Sequence, residues 1–453
     1  MTQRVQRHLL SAMVCLGRHT LTGHIATAGR QFVDWSADYR LYSKGRVDTQ
    51  ALFSPVRRTV TGRLGAQAPV VVAVDDTRLK KSSRKTPGVS YARDPLGPSF
   101  HVNFILAQRF VQFSIAWPNE KGAARMIPID FVHAPTVRKP GKCALDEDWR
   151  VYHEARREQA LPHVALQRLH ALRAALDDEG QKLRKLVAVV DGGYTNRTFL
   201  KDIPARTCVI GRIRGDAKLY HLPQPAQGRG HPRVYGEQAP TPEQLRQDQC
   251  TPWRHVTAWA CGKRHEFRIK TIGPVRWRAT GKTHDLRLLV IAPLGYRIRQ
   301  NGKMLYRKPA YLICTAPDTP LHQIVQQYLW RWDIEVNFRD EKTVLGVGQA
   351  QVHNRHSVHH VPALTVAAYA IILTAATSLY GVDSHELSLA PPKWQPTTSN
   401  RASIQKLIDQ LRNEMWGDAI NSSHFENKPH PNTKSDQILP SLHSALFYGA
   451  SKT

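Results

Sequence analysis

Residues 69–77 read Pro-Val-Val-Val-Ala-Val-Asp-Asp-Thr. Five consecutive apolar residues leave a strand no polar face, so this one is expected to be covered on both sides, as in sheets with helices on each face. The run then stops abruptly in two carboxylates. A second run, Leu186-Val-Ala-Val-Val-Asp191-Gly-Gly, repeats the pattern. Between them, His101 to Trp117 reads as two further strands, and Asp146 to Leu176 as one long helical stretch. After Asp191 come a short helical turn near Asn196 to Leu200 and a strand at Thr207-Cys-Val-Ile-Gly-Arg-Ile-Arg. Strands, helix, strand, turn and strand in that order describe an α/β layer fold around a mixed sheet.

Outward from this centre the patterns change. Residues 1–69 place apolar side chains at helical spacing with Arg and His between them; a small DNA-binding module and a plain packing arm both fit. Residues 215–315 are β-rich, with a hairpin turn at Gln300-Asn-Gly-Lys303 and a loop from Pro223 to Pro242. Helical periodicity resumes from Thr319 to Val344. Val361 to Tyr380 is apolar and about as long as a membrane span, but its three Thr, one Ser and one Pro favour a buried core helix. After Gly381 the chain is rich in Pro, Ser and Asn, with one helix at Ser403 to Met415. No internal repeat is present.

Composition narrows the function. The 453 residues include 64 Lys and Arg against 36 Asp and Glu, a formal net charge of +28. Such a field concentrates polyanions, and nucleic acid is the commonest. The cations are scattered rather than gathered on one amphipathic helix, which argues against a membrane surface as partner. No secretory signal precedes the first helix, and the six cysteines form no CxxC pair, so a reducing cytoplasm is expected. Cys250, His255, Cys261 and His265 lie close in sequence, yet lack the tight first pair of most structural zinc sites. They fall on what reads as two strands joined at Gly262-Lys263, where alternation sends side chains to different faces.

The chemistry concentrates in three places. Asp76 and Asp191 each stand where a buried strand ends, the edge at which open α/β sheets carry their sites. Carboxylates there are either polar strand ends or hard-oxygen ligands for Mg²⁺ or Mn²⁺. Asp75 and Asp76 are adjacent and point to opposite faces, so at most one is a ligand. The third place is the 319–344 helix. Tyr328, Arg331, Glu335 and Lys342 fall at about 0°, 300°, 340° and 320°, a stripe about 60° wide. Trp332, Val325 and Val336 flank it on one side, Ile334 and Phe338 on the other, which places a metal ligand (Glu335) among phosphate-binding groups.

Tyr328-x2-Arg331-x3-Glu335-x6-Lys342 resembles the YREK signature of bacterial insertion-sequence DDE transposases of the IS-four type, which have an RNase H-like core. The surrounding YLWRWDIEVNFRDEKTVLGVGQAQV resembles that family's helix throughout, and VAVDDT and VVDGGY resemble its two Asp segments. The Asp-Thr pair of the first favours Asp76 over Asp75. The resemblance implies an RNase H-like core in two parts, 70–214 and 316–380, interrupted by a β-rich insertion at 215–315. A helical DNA-binding module would span 1–69, and 381–453 would be a C-terminal region contacting DNA or a partner. It further implies Asp76, Asp191 and Glu335 holding two Mg²⁺ (or Mn²⁺) ions, with Tyr328, Arg331 and Lys342 gripping DNA. Transposon ends and target DNA would be the partners of a homodimer, with no membrane involved. Trp253, Trp259 and Trp277 in the insertion either stack on a flipped base, as in relatives, or fill the β-core. The rival readings are a catalytically inactive transposase-derived DNA-binding protein and a basic RNA-binding factor; in the latter the three carboxylates would lie far apart.

Overall fold

The run at 70–74 is fully buried and forms an interior strand of an eleven-stranded sheet. The structure, a computed structural model, describes residues 2–94, 97–98, 100–224, 231–281, 284–299, 301–383 and 401–422, the last six of these by backbone only. Most of the 381–453 region therefore lies outside the described residues, as does Gln300.

Four helices open the chain: α1 (Thr2–Val14), α2 (Leu21–Thr27), α3 (Ser36–Ser43) and α4 (Thr49–Arg63). Then come β1 (Val70–Lys80), β2 (Ser90–Arg93), β3 (Phe104–Pro118) and β4 (Ala124–His133), the helices α5 (Asp146–Glu158) and α6 (Leu161–Asp178), β5 (Leu186–Val190), α7 (Arg197–Leu200) and β6 (Thr207–Arg212). The β-rich part holds β7 (Leu219–His221), α8 (Pro242–Gln247), β8 (Arg254–Ala260), β9 (Lys263–Trp277), β10 (Leu286–Ile291), β11 (Gly295–Tyr296), β12 (Leu305–Tyr306) and β13 (Ala310–Cys314). The chain continues through α9 (Leu321–Trp330), α10 (Asp333–Thr343), α11 (Ser357–Tyr380) and α12 (Ile404–Ser422).

Strand β1 pairs antiparallel with β3, and β3 with β4, while β5 and then β6 run parallel to β1. Three antiparallel strands followed by two parallel ones are the RNase H-like mixed sheet the sequence implies. The β-rich part extends that same sheet: β13 pairs antiparallel with β6, β10 with β13, and β9 with β10, with β7 and β8 both on β9. Cys261 and Gly262, both at positive φ, close the β8–β9 hairpin.

Alternation along β1 divides the core. Val70, Val72 and Val74 join the face packed by α1, α4, α6 and α11, whereas Val71 and Ala73 join the face packed by α9 and α10. Ala12, Phe53 and Val60 of the N-terminal helices therefore share a hydrophobic core with the sheet. Among the described residues one helix, α11, is long and apolar enough to cross a membrane; 83% of its apolar window is buried inside the protein.

Three sequence expectations need correction. The 101–117 stretch is one strand, not two, and the partner strand is 124–133. The turn lies at 119–122, where the Asn119 backbone N–H donates to Ala123 O (2.8 Å) and the Asn119 carboxamide accepts from Ala123 N (3.0 Å). Polar Gln108 interrupts the apolar run without ending the strand, because its amide donates to Pro87 O at 2.8 Å. The 146–176 stretch is two helices, with Pro162 in the first turn of α6. The 319–344 helix is also divided, at Arg331 and Trp332.

Candidate active site

Parallel neighbours end at a common edge. Val74 pairs with Val190 across β1 and β5, so Asp75 and Asp191 are the next residues on adjacent strands. Asp191 begins a tight turn: its carboxylate accepts the Gly193 N–H, and the Thr195 hydroxyl donates to its carbonyl at 2.8 Å. A Cβ on Gly193 would stand 3.2 Å from that carboxylate, so glycine permits the close approach.

The break between α9 and α10 delivers the third element. There the N–H groups of Arg331, Trp332, Ile334 and Glu335 donate three residues back, at 3.1–3.3 Å. This tighter winding eclipses residues three apart, and the Arg331 guanidinium lies 5.8 Å from the centre of the Tyr328 ring. It also reaches Asp75 at 3.0 Å and Glu335 at 3.3 Å. Burial works against its charge, but Tyr328, Asp75, Glu335 and Asp191 together outweigh that and raise its pKa. Tyr328, Arg331 and Glu335 thus gather with Asp75 and Asp191. Lys342 does not join them: it packs 5.9 Å from the Phe338 ring centre and faces Glu341, Asp76 and Asp94. Trp332 is not part of an apolar flank, being 59% exposed because the break turns it outward.

The two adjacent aspartates diverge as alternation requires. Asp75 continues the side of β1 covered by α9 and α10, and Asp76 continues the other. Burial pushes Asp75 up to about 7, against the pull of Arg331. Burial also raises Asp76, against Arg109 and Arg78, with Asp191 adding repulsion. Both carboxylates therefore feel Asp191. Arg109, on the partner strand β3, and Tyr194, buried and close to all three aspartates, also belong to this site. Neither carries a sequence signal beyond Tyr194 lying three residues after Asp191.

A buried polar network fixes the back of α10. Asn337 donates to Met126 O (2.9 Å) and Ser114 Oγ (3.2 Å) and accepts from Tyr369 (3.1 Å). Glu341, fully buried, is raised to about 8 by burial, with Gln112 as its hydrogen-bonding partner. At the start of α10, Asp333 accepts from Met126 N (3.0 Å) and from both Arg401 nitrogens (3.0 and 2.8 Å). A described part of the C-terminal region thus braces the helix that carries Glu335.

The donor chemistry suits a hard divalent cation. Asp75, Asp76 and Asp191 repel one another in a partly buried edge, a repulsion that a cation relieves. Among the described residues, however, no three His, Cys, Asp or Glu stand together as a preformed metal group. Arg331 lies between Asp75 and Glu335. Elsewhere, His255 pairs with Glu266, and Cys250 and Cys261 are exposed. Trp253, Trp259 and Trp277 are half-buried in the β-rich part, the first and third packed against the core and Trp259 joined to Gln326 through its backbone.

Residues 1–282 match the family described as DDE superfamily endonuclease. No curated protein matches in sequence. The solved piggyBac transposase synaptic complex with hairpin DNA is similar at 11% identity over 96% of this chain and 79% of that one, with a TM-score of 0.34, a likeness too slight to carry an argument.

Proposed function

The chain belongs to the DDE superfamily of endonucleases, and from that premise we propose that it is a DNA transposase cutting and joining DNA at the ends of an insertion sequence. The observation that carries the proposal is the gathering of Asp191, Asp75, Arg331 and Glu335 at one sheet edge, with Asp76 beside it. Asp76, Asp191 and Glu335 would hold two Mg²⁺ or Mn²⁺ ions. Bound there, such ions activate the attacking oxygen and stabilise the leaving one. Tyr328 and Arg331 would bind the DNA backbone beside the cut, and Lys342 a phosphate further along β1. Arg331, a bidentate donor, must then exchange its carboxylates for phosphate oxygens, which its fork geometry matches equally well. The IS-four-type YREK pattern supports these roles, as does the net charge of +28. A homodimer pairing two DNA ends in the bacterial cytoplasm completes the reading.

A second assignment has its own support: Asp75, not Asp76, shares the α10 side of β1 and lies within one guanidinium's span of Glu335. In that version Asp75 is the ligand and Asp76 a neighbour.

Glu335→Gln is the direct test. It should abolish Mg²⁺-dependent cleavage of a plasmid carrying the coding sequence with its natural flanking DNA, while leaving affinity for that DNA within about twofold. Equal loss of binding and cleavage would make Glu335 a structural residue. Wild-type protein that binds but never cuts would establish the inactive, DNA-binding alternative.

A further inference from the structure

Between Asp285 and Asp318 the chain contains no acidic residue. Its middle forms a two-stranded ribbon, β11 against β12, in which Gly295 pairs with Tyr306 and Tyr296 with Leu305. Arg297, Arg299, Lys303, Arg307 and Lys308 on this ribbon are all exposed. So are Ile298 (78%) and Tyr306 (70%), which find no apolar cover among the described residues. Arg307 lies over the Tyr296 ring at 5.4 Å, and its backbone N–H donates to Leu294 O at 2.9 Å, which ties the base of the ribbon down.

The topology fixes where the ribbon stands. It leaves the sheet after Ile291 and returns at Ala310, which are paired. Leu312 pairs with Arg212 at the end of β6, and Gly211 pairs with Val190 at the end of β5. The ribbon therefore projects from the edge at which β5 delivers Asp191. Its root is two to three strand spacings away, about 10–15 Å, comparable to the width of one DNA major groove, about 12 Å.

We propose that the ribbon of β11 and β12 is a duplex-DNA grip, lying in the major groove beside the phosphate to be cut, with its cations on the flanking phosphates and Ile298 and Tyr306 against base edges. A two-stranded ribbon is one of the few elements the major groove admits. Five cations without a compensating acid make the interaction electrostatic and largely independent of sequence. The proposal rests on the reading of the chain as a transposase.

The test is fluorescence anisotropy with a labelled random-sequence duplex across a salt series. Every cation withdrawn from a phosphate makes the log–log salt slope shallower by about 0.9. Joint substitution Arg297→Ala, Arg299→Ala and Lys303→Ala should therefore make the slope shallower by about 2.7. Joint Ile298→Ala and Tyr306→Ala should lower affinity several-fold with the slope unchanged. Arg299→Gln alone, with an expected change of about 0.9, reads the same claim if the triple variant does not fold. A slope identical to wild type in both charge variants overturns the ribbon while leaving the transposase reading intact. Ribbon-dependent binding to phosphatidylserine vesicles with duplex binding unchanged overturns it in favour of a membrane. Wild-type protein with no affinity for any duplex removes both readings together.

Discussion

Glu341 should make this protein less stable as pH rises through neutrality, although most carboxylates act in the opposite sense. Its side chain is fully buried on the inner face of α10, and burial raises it from 4.5 to about 8. A carboxyl held above its unfolded value binds its proton more tightly when folded, so its contribution is complete below about pH 4.5 and is lost as pH climbs to 8. At 1.36 kcal/mol per pH unit, the loss is about 5 kcal/mol over that window. For a chain of 453 residues, an unfolding entropy of about 2.1 cal/mol/K per residue makes 1 kcal/mol worth about 1 °C. Glu341→Gln keeps the shape and a hydrogen-bonding group for Gln112 while removing the titration. Thermal melts at pH 5 and pH 8 should show wild type losing about 4 °C more than the variant. Parallel melting curves would refute the assignment, placing the Glu341 carboxylate in contact with solvent or a cation.

Two other perturbations read different parts of the site. Arg401→Ala strips Asp333 of a two-pronged partner and leaves the Met126 N–H as its hydrogen-bond donor among the described residues, so the midpoint of chemical denaturation should correspond to a loss of about 2 kcal/mol; an unchanged midpoint would mean that the C-terminal segment does not brace α10. Lys342→Ala should weaken duplex binding and reduce its salt slope by about 0.9, since it takes one cation away from the DNA backbone, and an unchanged slope would leave Lys342 as a partner of Asp76 only.

What the sequence made legible was the centre of the fold. Five-residue apolar runs at 70–74 and 186–190, rich in β-branched Val, read as buried strands, and their terminal aspartates mark the edge of the candidate site. The helical quartet was legible as a set of residues but not as a geometry. No Pro or Gly announces the break at Arg331 and Trp332. Residues flanking and within it are engaged by distant groups, Asp75 with Arg331 and both Arg401 and Met126 with Asp333. Strand β4 went unread for a local reason: Pro128 lies within it, and Pro argues against a central strand. Among the described residues β4 pairs only with β3, and the register shifts between Phe113 and Ser114, opposite Pro128, so the missing N–H is tolerated. The ion pair between Asp75 and Arg331 joins residues 256 positions apart, beyond the reach of any local pattern.

The central claim is that adjacent β1 and β5 aspartates work with Glu335 in metal-dependent DNA cleavage. Cleavage of the flanked plasmid in Mg²⁺, by wild type, Asp76→Asn, Asp75→Asn and Asp191→Asn, tests it most directly. The account predicts that wild type cuts only with the divalent ion, that Asp191→Asn is inactive, and that Asp76→Asn is inactive while Asp75→Asn retains activity. Loss at Asp75 with retention at Asp76 would exchange the two assignments. Cleavage persisting in Asp191→Asn, or in wild type with the metal chelated, would contradict the account itself.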